Sequence, residues 1–380
     1  MADEDLFGKA QGLSDLELAF LLCLMSREHC IISSIPSALD DLVQELQFIA
    51  SKTFGLVSVV INCCPTTTLD DFVAALLLPN TPTPHPTRSS SPFKSRSDAS
   101  YFNPHSRSGI APLSPIIPHP TSPGQSGQTL FIPEVVLARN LDRAPKAVQI
   151  QALELLRTRR IFTRTAVQTA PKTFLFVPLL GAESGGAARV TPHLNDFFFL
   201  AHWHDVEDGL PYLEEAEGGE GWGEDAETAS TASVVKRSTP GGPNNDQSAE
   251  PLLSEGDISR LASLSRTTRL DIDVHRYQMN LVSFLRIHRA VAGGISYAAT
   301  KHFDQLMRCL APLHGIDFVT PALVALAARK VYLHRIEIAA PAEERSVQWG
   351  SDIRAVEVLL EGIGPEDVIE DVLGMVTAPV

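Results

Sequence analysis

The sequence predicts an α/β fold: a three-layer αβα core around a parallel sheet, followed by a C-terminal α-helical domain. Short apolar segments that resemble buried strands alternate with helical patterns over residues 1–206. After residue 257 the apolar residues recur only with the 3.6-residue period of helices. Alternating strands and helices are typical of parallel sheets, and consecutive helices are typical of a bundle.

Length and charge narrow the class of protein. The chain has 380 residues, enough for two domains, and a net charge of −14, which argues against general binding of nucleic acid or anionic membranes. Five cysteines without regular spacing predict free thiols in a reducing compartment. The acidic start MADEDLFGK is unlike a secretory or mitochondrial signal, and the apolar run 18–25 is too short to span a bilayer. We therefore expect a cytoplasmic protein, and a nuclear location is also compatible.

The first elements follow in order. Residues 13–28 predict an amphipathic helix, with Ser14 as N-cap and Glu17 completing a capping box. A strand at 30–32, a loop and a helix at 39–51 follow, and then a strand at 56–62 and a short helix ending near residue 78.

Two segments predict disorder. Residues 79–128 are dense in Pro and Ser, and residues 207–257 are acidic and rich in Gly, Ser and Thr; neither segment has enough apolar surface to offset the entropy of ordering. Ser91, Ser114 and Ser122 each precede a proline, which makes them candidates for phosphorylation, although such pairs are also common in disordered loops.

The most informative stretch is 137–149, LARNLDRAPKAVQ. It follows an apolar strand at 130–136 and continues into a helical pattern that includes Val148, Ala152 and Leu155. Such strand-to-helix turns are where α/β proteins usually place their chemistry. Further strands are predicted at 173–180 and 197–201. The basic run around Arg157–Arg160 and Arg164 lies at a helix C-terminus, where positive charge is favoured, so we prefer that interpretation to nucleic-acid binding.

The C-terminal part predicts three helices at 273–292, 296–314 and 320–336, the last with a Thr320-Pro321 start, and short helices within 352–375. We therefore divide the chain into a core at 1–206, a linker at 207–257, a helical lid at 258–340 and a helical tail at 341–380.

Two clusters contain residue types that commonly bind metal ions. His202, His204 and Asp205 have the spacing of a two-histidine site on a strand, and Cys63 and Cys64 are adjacent. Neither cluster has a further ligand at a recognisable spacing, so we predict ordinary packing and free thiols, and no metal site.

The chain resembles a known family in two places. LARNLDRAPKAVQIQALELLRTRRI is similar to the Walker B region of the magnesium-chelatase and MoxR branch of AAA+ ATPases, with Arg143, Ala144, Pro145 and Gln149 matching. The stretch 293–336 resembles the lid of the same branch over about forty positions. The matching residues there are Gly294, Ser296, Gly315, Asp317, Val319, Thr320, Pro321, Val324, Leu333, His334 and Arg335. The resemblance implies a P-loop-like AAA+ core with a lid.

The residues that carry catalysis in that branch are replaced here. The phosphate loop, which would fall at 32–40, has neither glycine nor lysine, and Asp40 and Asp41 at the helix start would repel a polyphosphate. The resemblance places five further functional positions. They are Arg139 and Asn140 for the two Walker B acids, Gly181 for the sensor asparagine, Phe197 for an arginine that reaches a neighbouring subunit, and Ala298 for the lid's sensor arginine.

We therefore predict a degenerate magnesium chelatase/MoxR-like AAA+ protein that has lost ATP hydrolysis and acts as a non-catalytic subunit or interaction scaffold. It would have no catalytic residues and no cofactor, and its partners would be AAA+ homologues or further copies of itself. The alternative is an active chelatase-like ATPase that uses ATP and Mg²⁺ with atypical loops, with Glu134 as its acid.

Overall fold

The computed structural model describes residues 2–79, 130–163, 166–218 and 251–379. Residues 1–78 and 131–380 belong to one compact unit. The predicted insertion at 79–128, with its three Ser-Pro pairs, lies outside the described residues apart from Pro79, as does Arg164. We describe this unit below.

The N-terminal part alternates helices and strands. In chain order its elements are α1 Ala2–Gln11, α2 Asp15–Ser26, β1 Cys30–Ser34, α3 Leu39–Phe48, β2 Ser58–Asn62, α4 Leu69–Leu76, β3 Leu78–Pro79, β4 Leu130–Phe131, β5 Val135–Arg139, α5 Lys146–Thr158, β6 Arg160–Phe162, β7 Val167–Thr169, β8 Leu175–Gly181, α6 Pro192–Asn195, β9 Leu200–Trp203 and α7 Pro211–Gly218.

The sheet at the centre has five parallel strands in the order β2-β5-β8-β1-β9. Its two faces carry separate apolar clusters, because neighbouring residues of a strand point to opposite faces. Ile32 and Leu137 pack on the face covered by α2 and α3, whereas Ile31 and Val136 pack on the face covered by α4 and α5. The predicted three-layer αβα core with a parallel sheet is confirmed.

The C-terminal part is helical. Its elements are α8 Glu255–Thr267, α9 Ile272–Ile287, β10 Val291–Gly293, α10 Tyr297–Leu313, α11 Pro321–Tyr332, β11 Glu337–Ile338, α12 Ile353–Leu360 and α13 Pro365–Met375. Helix α2 packs against both α8 and α10, so one apolar cluster runs from the sheet into the helical part. The predicted α-helical C-terminal domain is confirmed.

Several helix starts follow from local sequence. The Ser14 N–H donates to Glu17 Oε2 at 2.8 Å and the Glu17 N–H donates to Ser14 Oγ at 3.4 Å, which confirms the predicted capping box. Thr320 caps α11 and Pro321 occupies its first turn, as the sequence predicts. Helix α1 was not predicted from the sequence.

Part of the predicted disordered linker at 207–257 is ordered. Residues 211–218 form α7, whose first N–H groups, on Tyr212 and Leu213, donate to the buried Glu45 carboxylate at 3.1 and 2.9 Å. Residues 255–257 likewise belong to α8. The prediction of disorder was wrong at these two ends: the distant Glu45 supplies partners for α7, and a capping box between Ser254 and Asp257 starts α8. Residues 219–250 lie outside the described residues.

Among the described residues, none of the helices is long and apolar enough to cross a lipid bilayer.

Gly294 sits where β10 leads into α10 and no other residue fits there. Its φ is +96°, a conformation that side chains disfavour, and a Cβ atom would lie 1.8 Å from the carbonyl oxygen of Arg335.

We predict that Gly294→Ala lowers the free energy of unfolding by about 3 kcal/mol or more, since the new methyl group overlaps the backbone in a strained conformation. Urea denaturation measures the effect. Gly374→Ala is the matched control, because Gly374 lies in α13 with open space around it; a helical Gly-to-Ala change there should raise stability by up to about 1 kcal/mol. Equal stability of the two variants would contradict this account.

Candidate functional site

Three of the five predicted functional positions meet at the carboxyl edge of the sheet. Arg139 ends β5 and pairs in register with Leu179 of β8, while the Asn140 N–H donates to the Leu179 carbonyl oxygen at 2.8 Å. Gly181 ends β8 and pairs in register with Ser34 of β1. Since carboxyl ends of parallel strands form the usual ligand site of α/β folds, this edge is the candidate functional site.

An ion pair spans this edge. A terminal guanidinium nitrogen of Arg139 contacts Asp40 Oδ1, and Asp40 lies in the first turn of α3, just after β1. The helix dipole favours a carboxylate in this first turn, and the guanidinium reaches it from the end of β5. The Arg139 side chain is 26% exposed, and its Nε is buried without a hydrogen-bond partner among the described residues. The cation and the anion at this edge therefore neutralise each other.

The loop between β1 and α3 presents apolar atoms to the end of β8. It forms a single 3₁₀ turn, Pro36–Ala38, and the start of α3 has no side-chain cap. A Cβ atom added at Gly181 would lie 3.1 Å from Leu39 Cδ1 and 3.3 Å from Pro36 Cα, so the loop packs directly against the glycine. Pro36 has no N–H to offer a ligand. Gly181 is thus a packing position.

Asn140 shapes the turn after β5. It adopts the left-handed conformation, with φ 54° and ψ 39°, which asparagine tolerates better than most residues. Its N–H and its carbonyl oxygen are both used, the latter accepting from the Arg143 N–H at 3.1 Å. The left-handed backbone of this turn therefore explains why an asparagine suits position 140.

Gln149 holds the same turn from within α5. Its buried side chain donates to the carbonyl oxygens of Asp142 and Ala144 at 3.2 and 3.1 Å, and its Oε1 accepts from the Thr191 N–H at 2.8 Å. The Arg-Ala-Pro…Gln spacing, which carried the family resemblance, thus fixes the connection between β5 and α5.

Asp142 is a polar group of this edge that the sequence analysis did not single out. Its Oδ1 is buried without a hydrogen-bond partner among the described residues, and burial raises the pKa of its carboxyl group. Its charge also acts on the buried Cys63, after β2. The acidic residue in the middle of LARNLDRAP is the signal that could have revealed it.

The other two predicted positions lie elsewhere. Phe197 stacks on His29, which precedes β1 and therefore lies at the amino edge of the sheet, with ring centroids 6.3 Å apart. Ala298 is half-buried in the first turn of α10 in the helical domain. Both side chains are apolar, so neither can form a hydrogen bond or an ion pair with a ligand.

Glu134 also lies at the amino edge. It directly precedes β5, and its Oε2 accepts from the Val57 N–H at 2.8 Å, just before β2. The length of β5 therefore separates Glu134 from the candidate site.

The two histidines at the end of β9, His202 and His204, are buried. His202 Nδ1 accepts from the Lys330 ammonium at 2.9 Å, and burial, helped by the Lys330 charge, lowers the pKa of His202 to about 3. His204 is buried nearby, with its pKa lowered by burial. In the parts of the chain that the structure describes, no group of three or more His, Cys, Asp or Glu residues could hold a metal ion.

The two adjacent cysteines differ in environment. Burial raises the pKa of Cys63 to about 12, whereas hydrogen bonds with Thr66 and Thr67 lower the pKa of the exposed Cys64 to about 7. Both thiols are free.

A buried arginine joins the helical domain to the segment before β9. Arg335 is 2% exposed and donates to the carbonyl oxygens of Val331, Asp196, Phe198 and Phe199. Its Nη2 also donates to His302 Nδ1 at 2.8 Å, and its Nε lies 3.4 Å from Asp196 Oδ1.

Two further contacts support the same joint. Ser296 Oγ, at the start of α10, donates to Asp196 Oδ1 at 2.6 Å. Asn195 Nδ2 donates to the His334 carbonyl oxygen at 2.6 Å. The helical domain is therefore held by side chains of the chain itself.

We compared the chain with models of protein families and with solved structures. The family model of the AAA lid domain matches residues 283–356. A crystal structure of a proposed ATPase from Cytophaga hutchinsonii is 15% identical and covers 100% of this chain and 94% of its own, with a TM-score of 0.59. The chain has the fold of an AAA+ ATPase. Its helical domain contains the AAA lid.

A full-length MCM homolog from Methanopyrus kandleri is 9% identical and covers 84% of this chain and 54% of its own, with a TM-score of 0.41, too low to establish a shared fold. No curated protein matches the sequence. At 15% identity the likeness to the Cytophaga hutchinsonii protein shows a shared fold and not an activity.

We predict that Arg335→Met lowers the free energy of unfolding by about 3 kcal/mol, because several buried carbonyl oxygens lose their donor while the apolar stem is kept. Chemical denaturation measures this value. Arg329→Met, in α11 just before the turn that carries Arg335, is the control: its ion pair with Glu370 is exposed, and its loss should cost less than about 1 kcal/mol. Similar losses for both variants would show that Arg335 does not secure the lid.

Acid should weaken the fold through neutral buried histidines. Burial and the nearby Arg159 lower the pKa of His29 to about 3, against about 6.5 in an unfolded chain. As pH falls from about 6.5 to 3, the unfolded state binds a proton that the folded state excludes, so the free energy of unfolding decreases by up to about 1.4 kcal/mol per pH unit for each such histidine.

His29→Gln should remove one histidine's share of this slope, since the Gln oxygen can replace Nδ1 as acceptor for the Phe176 N–H. Urea unfolding at pH 7, 6 and 5 measures the slope. The exposed His193→Gln is the control. A slope that is unchanged in His29→Gln would contradict the assignment of a neutral His29.

Proposed function

We propose that this chain is an AAA+-type module, related to the magnesium chelatase/MoxR branch, that does not hydrolyse ATP and acts as a non-catalytic subunit or interaction scaffold. The observation that carries the proposal is the ion pair between Arg139 and Asp40 at the carboxyl edge of the sheet.

The ion pair reverses the charges that Mg-ATP needs. In P-loop ATPases an acidic strand end holds Mg²⁺, and the N-terminus of the helix after the first strand receives the phosphates. Here a guanidinium lies at the strand end and a carboxylate in the first turn of the helix. Arg139 would repel the metal and Asp40 would repel the phosphates, so these residues do not fit Mg-ATP.

The loop between β1 and α3 is also unsuited to binding the phosphates of a nucleotide. A phosphate cradle needs backbone N–H groups that approach the oxygens closely, usually from glycines. Pro36 and Leu39 instead pack against Gly181. Opening this loop for a nucleotide would separate apolar atoms that are in contact.

The lid contacts support a nucleotide-independent arrangement. Arg335, Ser296 and Asn195 connect the AAA lid to the segment before β9 through hydrogen bonds within the chain. A scaffold of fixed shape would be suited to bind proteins rather than to cycle with nucleotide.

Exposed apolar side chains on the lid and tail support a role in protein binding. Trp349 is 89% exposed and Tyr297 85%, so both rings are available to contact a partner. The partners in this proposal are AAA+ homologues or further copies of the chain in the cytoplasm, and not nucleic acid or membranes, which the net charge of −14 disfavours.

The proposal predicts that calorimetry with ATP or ADP, with and without Mg²⁺, gives no saturable binding up to about 1 mM, and that phosphate release stays at the buffer rate. The physical reason is the reversed charge of the Arg139–Asp40 pair.

The Glu134→Gln variant separates this proposal from the active-ATPase alternative. Micromolar Mg-ATP affinity or turnover that is lost in Glu134→Gln would establish the alternative, and any such affinity in the unmodified chain would overturn the proposal. Arg139→Glu is a control for the charge at the end of β5, since it places an acidic residue there.

A further inference from the structure

A cavity of about 330 Å³ lies between the core and the lid, away from the candidate site. It is bounded by α1, α2, β9, α10 and α11, and leucines make up half of its lining residues. They are Leu18, Leu22, Leu200, Leu306, Leu310, Leu313 and Leu326. Its volume is at the lower end of the range for small-molecule sites.

One cation lines this apolar cavity. Lys330 of α11 is half-buried, and burial lowers its pKa. Its Nζ donates to His202 Nδ1 at 2.9 Å, so the neutral His202 ring fixes the ammonium group without neutralising it.

The ammonium lacks a counter-ion in the described part of the chain. Asp15, which also lines the cavity, and Asp208 act on Lys330 from a distance, and neither forms an ion pair with it within 4.0 Å. A partly buried charge is costly unless an opposite charge pairs with it. The remaining N–H donors of Lys330 are therefore suited to an anionic ligand.

Size and wall chemistry restrict that ligand further. At about 30 Å³ for each non-hydrogen atom, the cavity holds on the order of ten such atoms. The leucine-lined wall favours a hydrocarbon chain rather than a sugar or a nucleotide, and the single ammonium favours one carboxylate.

We propose that this cavity binds a small apolar monocarboxylate, a medium-chain fatty acid or a compound of the same shape, with its carboxylate on Lys330 and its chain against the leucines of α2 and α10. The site is independent of whether the chain hydrolyses ATP.

Octanoate is the probe, because its ten non-hydrogen atoms match the cavity. We expect calorimetry on the full chain at pH 7.5 to give a dissociation constant on the order of 0.1 mM. Butanoate and hexanoate should bind more weakly, by about fourfold for each CH₂ group removed, and dodecanoate should bind no more tightly than octanoate. Octan-1-ol and octylamine should each bind at least about tenfold more weakly than octanoate.

Lys330→Met should weaken octanoate binding at least about tenfold. We expect this variant to fold, because it replaces a partly buried charge with an apolar side chain of similar length. Lys301→Met, on the exposed surface of α10, should bind octanoate as the unmodified chain does.

The chain-length series needs no variant and tests the cavity by itself. Absence of saturable octanoate binding at about 2 mM, equal affinity for acetate and octanoate, tighter binding of octylamine, or unchanged affinity in a folded Lys330→Met variant would each overturn the proposal.

Discussion

The buried Arg335 guanidinium is the interaction on which the arrangement of core and lid depends. A fully charged group in an apolar environment is tolerated only when its donors are satisfied, and here carbonyl oxygens of Asp196, Phe198 and Phe199 satisfy them from the core side. The segment before β9 and the end of α11 must therefore stay together, because separating them would expose or orphan these groups. Burial also lowers the pKa of Arg335 to about 10, well above neutral pH, so the charge is present under ordinary conditions.

The carboxyl edge of the sheet keeps the shape of a nucleotide-binding fold with different chemistry. Gln149 and Asn140 maintain the turn after β5 through backbone hydrogen bonds, which do not depend on a ligand. Arg139 and Asp40 then fill the polar positions with a matched pair. The shape of the turn and the charges at this edge therefore depend on different atoms.

Helix α2 packs against both the sheet of the core and the helical domain. It is almost entirely apolar on all sides, and its buried residues contact the sheet on one side and α8 and α10 on the other. The cavity at Lys330 lies where this shared packing is incomplete. An apolar gap beside a partly buried cation is a place where a ligand would add contacts that the chain does not make by itself.

The sequence by itself determined the fold class, since short apolar runs, period-3.6 apolar patterns and caps such as Ser14 and Thr320 are local and can be read without a structure. Through the family resemblance it also predicted that Arg139 and Asn140 stand where that family has two acids. Only the tertiary structure decided that Asp40 pairs with Arg139, that Glu45 orders α7, that Arg335 reaches Phe198, and that Lys330 lines a cavity. The physical reason is distance along the chain: these partners are far apart in sequence, and no local pattern encodes which distant groups folding brings within hydrogen-bonding range.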